Sequence, residues 1–357
     1  MNILMYHNGC GSKLFRIYFP AKYIRRDTEH EVQIRNPNEG CQYSDLMWAD
    51  VVVLEMVSDF GALQLYQKRK AEKKPVAFIF EVDDLMHQIS ENNPAARGWS
   101  KDSKLAFETT MRFCDAITVT TEHLKDYYSV FNKNIYVLPN SLDFGLFGQN
   151  VIPNQSNTIR LGWAGGISHR DDLKMVVPVI KKILDKYDNV KFVHCGFGGR
   201  GQNDPFDSYT LGDDIFEEIP INRREMAVAS TPENWPRRLG TLSFDIGIAP
   251  VTNDPWNWAK SNLKFLEYAS LKIPTVASGG EGLTKIPYSY TIKDGEDGYL
   301  ANSEDEWFNK ISKLIEDKKL RKTMGQKAYN KTFNEYNIAT NWKLWSDCYK
   351  EVFKKVV

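Results

Sequence analysis

The sequence predicts an α/β fold built from two doubly wound parallel sheets. Three observations lead there. Short runs of consecutive apolar residues, rather than alternating ones, recur along the chain, as strands buried on both faces require. Each run is followed by a turn and a helical pattern, which gives a β-α-β-α succession. The succession stops once, in a stretch rich in Gly, Asn and Pro, and then starts again.

In the first series the strands are NILMY (2–6), DVVVLE (50–55), PVAFIF (75–80), DAITVT (115–120) and NIYVLP (134–139), with helices expected near 13–25, 59–72, 102–113 and 121–130. The stretch FGLFGQNVIPNQSNT (144–158) has neither helical nor strand periodicity and reads as a linker, so residues 1–150 are expected to form a first domain. The second series runs through TIRLGWA (158–164), a helix near 169–187, NVKFVHCG (189–196), a helix near 232–241, FDIGIAP (244–250), a helix at 261–271 and IPTVAS (273–278). This predicts a second domain over 156–335. Beyond residue 303 the chain is helical and polar. Its last stretch, 336–357, carries Trp342, Trp345 and Tyr349 at i, i+3 and i+7, an aromatic stripe that predicts a helix packing back on the first domain.

Composition narrows the function. The chain has 357 residues, 42% hydrophobic and 26% charged, the balance of an ordinary globular protein. Lys plus Arg and Asp plus Glu both total 46, so no global basic field speaks for nucleic acid or an anionic membrane. The five cysteines are scattered with no C-x-x-C pair, which argues against a disulfide framework or a zinc site and for a reducing compartment. MNILMYHNGCG lacks a basic segment leading into a long apolar one, and no run approaches the ~18 apolar residues of a membrane span. The expected location is the cytoplasm, with any membrane contact peripheral.

In open α/β sheets ligands bind at the carboxyl ends of strands, so the loops there hold the candidates. After the first strand, HNGCGS (7–12) offers Gly9 and Gly11 for close backbone approach, although Leu14 breaks the G-x-G-x-x-G dinucleotide pattern. EVDD (81–84) places Asp83 and Asp84 at a strand end, where a base or orienting group for a hydroxyl, a metal ligand and a helix cap all remain open uses. Strand alternation would turn one of the two into the cleft. The long loop 86–103 adds His87, Arg97 and Trp99 as a candidate lid.

The second series has its own set. GWAGGISHRDD (162–172) joins a strand to a helix, with Gly165 and Gly166 allowing close approach and His169 and Arg170 able to meet negative charge at the helix start. HCGFGG (194–199) supplies Gly196 and Phe197, a surface for a flat ring, while His194 reads as a core histidine. In KSNLKFLEYASLKIPTVAS, Lys260, Lys264 and Glu267 fall within an arc of about 60° on one helix face beside Ser261 and Asn262. Two ammonium groups near a helix start suit a diphosphate, and the carboxylate suits ribose hydroxyls. A solvated Lys–Glu face is the alternative.

Together GWAGG…H, DIGIAP and KSNLKFLEYASLKIPTVAS resemble the carboxyl-terminal half of GT-B glycosyltransferases of the family-four type, and FEVDDL, DAITVTTEHL and NIYVLPNSLDF extend the resemblance over nearly the whole chain. The resemblance implies two Rossmann-like domains facing a central cleft, a nucleotide-diphosphate-sugar co-substrate, no tightly bound cofactor or metal, and transfer of the sugar to an acceptor hydroxyl, usually with retention. It implies a glycan or glycolipid acceptor, with glycosylation of modified bases in phage DNA as an alternative. In that family two glutamates separated by seven residues frame the donor. The second maps onto Glu267, whereas Ala259 stands at the first. That departure motivates a further alternative, a nucleotide-sugar-binding subunit without turnover. A sugar-nucleotide epimerase is another.

Overall fold

A computed structural model describes the chain apart from residues 10, 37–42, 58–59, 72–74, 92, 94–95, 97–98, 150, 197–214 and 281–285. Two six-stranded sheets, all of whose pairs are parallel, organise it. The first contains β1 (Asn2–His7), β2 (Glu31–Arg35), β3 (Val51–Glu55), β4 (Ala77–Val82), β5 (Ala116–Val119) and β6 (Ile135–Val137), in the order β2-β1-β3-β4-β5-β6. The second contains β7 (Ile159–Ala164), β8 (Val190–Cys195), β9 (Arg224–Ala227), β10 (Ile246–Ala249), β11 (Thr275–Ser278) and β12 (Tyr299–Ala301), in the order β12-β11-β10-β7-β8-β9. Counted within its own half, and from the β9 edge, the second sheet runs 3-2-1-4-5-6, the order of dinucleotide-binding folds.

The central strands are the apolar runs: β3, β4 and β5 are buried at every position, because helices cover both faces. In the first half these helices are α1 (Phe19–Asp27), α2 (Tyr43–Trp48), α3 (Phe60–Ala71), α4 (Lys101–Phe113) and α5 (Glu122–Tyr128). A single π-helical turn, Leu14–Tyr18, leads into α1 and buries Arg16. The stretch read as a featureless linker begins with a short helix, α6 (Phe144–Phe147), because Asp143 accepts a hydrogen bond from the Gly145 amide at 3.0 Å and nucleates the turn. The second half carries α7 (Arg170–Lys186), α8 (Trp235–Gly240), α9 (Pro255–Trp258) and α10 (Leu263–Ser270).

Three helices close the chain: α11 (Glu304–Glu316), α12 (Lys318–Glu335) and α13 (Ile338–Val356). The aromatic stripe of α13 is a packing surface. Trp345 and Tyr349 are fully buried, α13 lies along α1 and β4, and the Arg16 guanidinium sits 5.4 Å from the Trp345 ring centre. Among the described residues no helix is long and apolar enough to cross a membrane.

Candidate functional site

Each sheet has a crevice where its strand order reverses, between β1 and β3 in the first and between β7 and β10 in the second. The second crevice is built by close backbone approach. Gly196 has φ +116°, and a Cβ there would lie 1.8 Å from the Gly165 carbonyl oxygen. A Cβ on Gly165 would lie 2.7 Å from both Lys264 Nζ and the Trp163 ring. Glycine at these two positions lets the loops after β7 and β8 close over the lysine. Gly166, next to them, is exposed.

Lys264, in the first turn of α10, is only 8% exposed, with Nζ donating to the Ala164 carbonyl at 2.5 Å and standing 5.0 Å from the Trp163 ring centre. Burial depresses its pKa to about 8, while Glu267 and Asp172 oppose the shift and Lys260 adds to it. Glu267, one turn on, is equally buried and accepts a hydrogen bond from Trp235 Nε1 at 2.7 Å. Burial lifts its pKa to about 7 against the pull of Lys264 and the indole. The pair therefore lines a buried cradle, and the solvated-face alternative fails.

Lys260 does not share their helix. Asp254 caps α9 through the Asn257 amide at 3.0 Å, α9 ends at Trp258 with Ala259 as its C-cap, and the helix expected at 261–271 is α10 at Leu263–Ser270, so Lys260 falls in the turn before it and the three-charge face is not continuous. Lys260 instead reaches the first half, where Nζ lies 3.3 Å from Asp84 Oδ1. Ser261 accepts from Asn140 Nδ2 at 2.9 Å, and Asn262 turns its amide onto Thr291 at 3.0 Å rather than capping α10. Ala259 is fully buried and its carbonyl accepts from the Thr121 hydroxyl at 3.2 Å.

A network invisible in the sequence crosses the crevice. Asp172 on α7 accepts from His169 Nδ1 at 2.7 Å, from the Thr252 amide at 2.7 Å and from Asn257 Nδ2 at 2.9 Å, tying the loop after β7 to the loop after β10. Burial pushes the Asp172 carboxyl up, but the hydrogen bonds from His169 and Thr252 outweigh it and hold its pKa below the usual range. His169, whose side chain is 16% exposed, is pushed down to about 4 by burial and by Lys264. A ring with that pKa is neutral at pH 7 and would meet an anion or a hydroxyl through hydrogen bonds. Arg170 follows it as the first residue of α7.

The first crevice is acidic. β4 ends at Val82, so Asp83 and Asp84 lie in the turn beyond it and strand alternation does not separate them. Asp83 has a pKa raised to about 7, first by burial and then by Asp84, with Arg16 and Lys260 opposing. Glu55, at the end of β3, accepts from the Ser12 hydroxyl at 2.8 Å, and its other oxygen is buried without a hydrogen bond among the described residues. Burial and the neighbouring Asp83 raise its pKa well above the usual range. Beneath them Arg16 and Glu81 form a fully buried two-pronged pair, Nε to Oε1 at 2.8 Å and Nη2 to Oε2 at 3.0 Å, with Thr118 and Asn140 completing it. Sequence reasoning missed Arg16, Glu55, Asp172 and Trp235. The apolar strand run ending in a lone glutamate, VVVLE, was the one available signal.

Gly9 (φ +86°) and Gly11 form the loop above Glu55, both with open space where a Cβ would be. Lys13, just after them, pairs with Glu233 of the second half at 2.9 Å. His87 and Trp99, expected on the acceptor side, pack against each other, with ring centres 5.6 Å apart. His87, 4% exposed at its side chain, bonds Glu108 at 3.1 Å amid the rings of Trp99, Phe107, Tyr127, Tyr128 and Phe131, where burial lowers its pKa. Their loop nevertheless reaches the second half, with Asn93 Nδ2 donating to the Ser168 carbonyl at 3.1 Å. Arg97 and Phe197 lie outside the described residues. His194 is buried against Phe192 and Phe216, as a core histidine. Among the described residues no three His, Cys, Asp or Glu side chains are grouped to hold a metal ion.

The sequence matches no family model and no curated protein. Solved structures do match the fold. Sucrose-phosphate synthase from Thermosynechococcus elongatus aligns with a TM-score of 0.71 at 11% identity, over 99% of this chain and 100% of that one. A glycosyltransferase from Rickettsia africae aligns at 0.67 and 15% identity, over 99% and 98%. S. aureus TarM, crystallised with UDP, aligns at 0.58 and 15% identity over 84% of this chain, which spans only 55% of that protein's length. Two parallel six-stranded sheets meeting along a cleft, in the arrangement these enzymes share, give the chain the GT-B fold.

Proposed function

We propose that the chain is a glycosyltransferase that moves a sugar from a nucleotide-diphosphate-sugar donor to an acceptor hydroxyl. The observation that carries this reading is the pairing of opposite crevices: buried Lys264 with Lys260 on one side, Asp83 and Asp84 on the other, joined at 3.3 Å through Lys260 and Asp84. Neighbours of the same fold were crystallised with UDP or with ADP. In the proposed reaction the acceptor oxygen attacks the anomeric carbon while the diphosphate leaves. Charge grows on the leaving oxygens, and Lys264, Lys260 and the start of α10 stabilise it. Glu267 takes a ribose hydroxyl. Asp83, whose pKa near 7 suits proton exchange at neutral pH, or Asp84 orients the acceptor.

The finer assignments belong to the same proposal. Retention of configuration, a glycan or glycolipid acceptor and independence of metal follow the family resemblance. A cytoplasmic location accords with three buried free cysteines, Cys114, Cys195 and Cys348. Residues 1–150 supply the acceptor side and 156–335 the donor side.

A panel of UDP-, ADP- and GDP-sugars tests the reading. The true donor stabilises the fold by RT ln(1 + [L]/Kd) and is slowly hydrolysed. Binding without hydrolysis or transfer would point to a non-catalytic subunit, and isomerised sugar without transfer to an epimerase. No stabilisation by any nucleotide would overturn the reading.

A further inference from the structure

His169 and Asp172 are placed to do something the diphosphate cradle does not need. The Asp172 carboxylate only accepts, so the 2.7 Å contact requires the proton of His169 to sit on Nδ1. Asp172 is itself fixed by the Thr252 amide and Asn257 Nδ2, so the ring cannot easily turn over. Nε2 is left with a bare lone pair and has no hydrogen-bond partner among the described residues. A fully ionised diphosphate has no proton to give that lone pair. A hydroxyl does.

The order of groups says which hydroxyl. Glu267 follows Lys264 by one turn of α10, whereas on another side the Trp163 ring lies 5.0 Å from Lys264 Nζ and 6.2 Å from the His169 ring, and Asn93 of the first half donates to the Ser168 carbonyl beside His169 at 3.1 Å. A nucleotide with its ribose at Glu267 and its diphosphate at Lys264 puts the transferred sugar at His169, on the side facing the first sheet.

We propose that His169 reads the donor sugar: Asp172 holds its proton on Nδ1, and Nε2 accepts a hydrogen bond from a hydroxyl of the sugar while the lysines take the diphosphate. This rests on the reading of the cleft as a nucleotide-sugar site. Asp172 is a positioning residue acting through the ring.

The test compares affinities for UDP, ADP and GDP with those for their hexose conjugates, in the wild type and in His169→Ala. The conjugate that binds best should lose about tenfold in the variant, one ordinary hydrogen bond, while its parent nucleotide changes less than about twofold. Nitrogen NMR of the wild-type imidazole should show the Nδ1–H tautomer at pH 7, and Asp172→Asn should reduce its excess. Equal losses for nucleotide and conjugate, or a wild-type ring protonated on Nε2, would overturn the proposal while leaving the donor site intact. A wild type that binds no nucleotide at all overturns the functional reading first, before any variant is made.

Discussion

The two crevices handle buried charge in opposite ways. In the first, the deepest cation is matched from within: Arg16, fully buried, meets Glu81 in two hydrogen bonds and finds further acceptors in Leu138 and Asn140. In the second, Lys264 is nearly as deep yet has for company a carbonyl, an aromatic ring and a Glu267 whose pKa burial lifts to about 7, and its own pKa falls to about 8. A buried ion pair with complete partners is a structural fixture. A buried cation held short of its partners is poised for an anion that comes from outside the chain.

Breaking the first crevice should cost folding. Arg16→Met leaves Glu81 buried and uncompensated, an expected loss of about 3–5 kcal/mol in denaturant unfolding, and adding Glu81→Gln should recover part of it. Breaking the second should cost binding instead. Lys264→Met should weaken nucleoside diphosphate binding by about 1.5–3 kcal/mol in calorimetry. Stability at pH 7 should be unchanged or higher, because a cation whose folded pKa lies below its unfolded value destabilises the fold below that pKa. The smallest effect is expected where the crevices meet. Asp84→Asn removes the partner of Lys260, whose pair is partly exposed, so stability should move by about 0–1 kcal/mol. Nucleotide binding should persist in that variant, and a transfer assay should show the loss if Asp84 orients the acceptor.

The fold was legible where burial is two-sided. β1, β3, β4, β7, β8 and β10 are apolar runs, and each lies within two residues of its expected span. β2, β9 and β12 were missed, and all are sheet edges: EVQIR, REMA and YLA are too short or too polar to show the pattern, because one side of an edge strand pairs with nothing. At the site, Lys264 and Glu267 were legible because three residues of helix set their spacing. Arg16 with Glu81 spans 65 positions and Lys260 with Asp84 spans 176, and no local pattern encodes such a meeting. Nor does any local pattern encode the burial that, with Lys264 from a distant helix, pushes the pKa of His169 down.

The central claim is that Lys264 awaits a diphosphate. Calorimetry of nucleotide binding at pH 8, in two buffers of different ionisation enthalpy, tests it most directly. With a free pKa of about 8, Lys264 is half protonated there, and a bound anion raises its pKa, so binding should take up as much as about half a proton. Affinity should fall as pH rises through 8, and both effects should vanish in Lys264→Met. Nucleotide binding with the same heat in both buffers and no loss on substitution would contradict the claim.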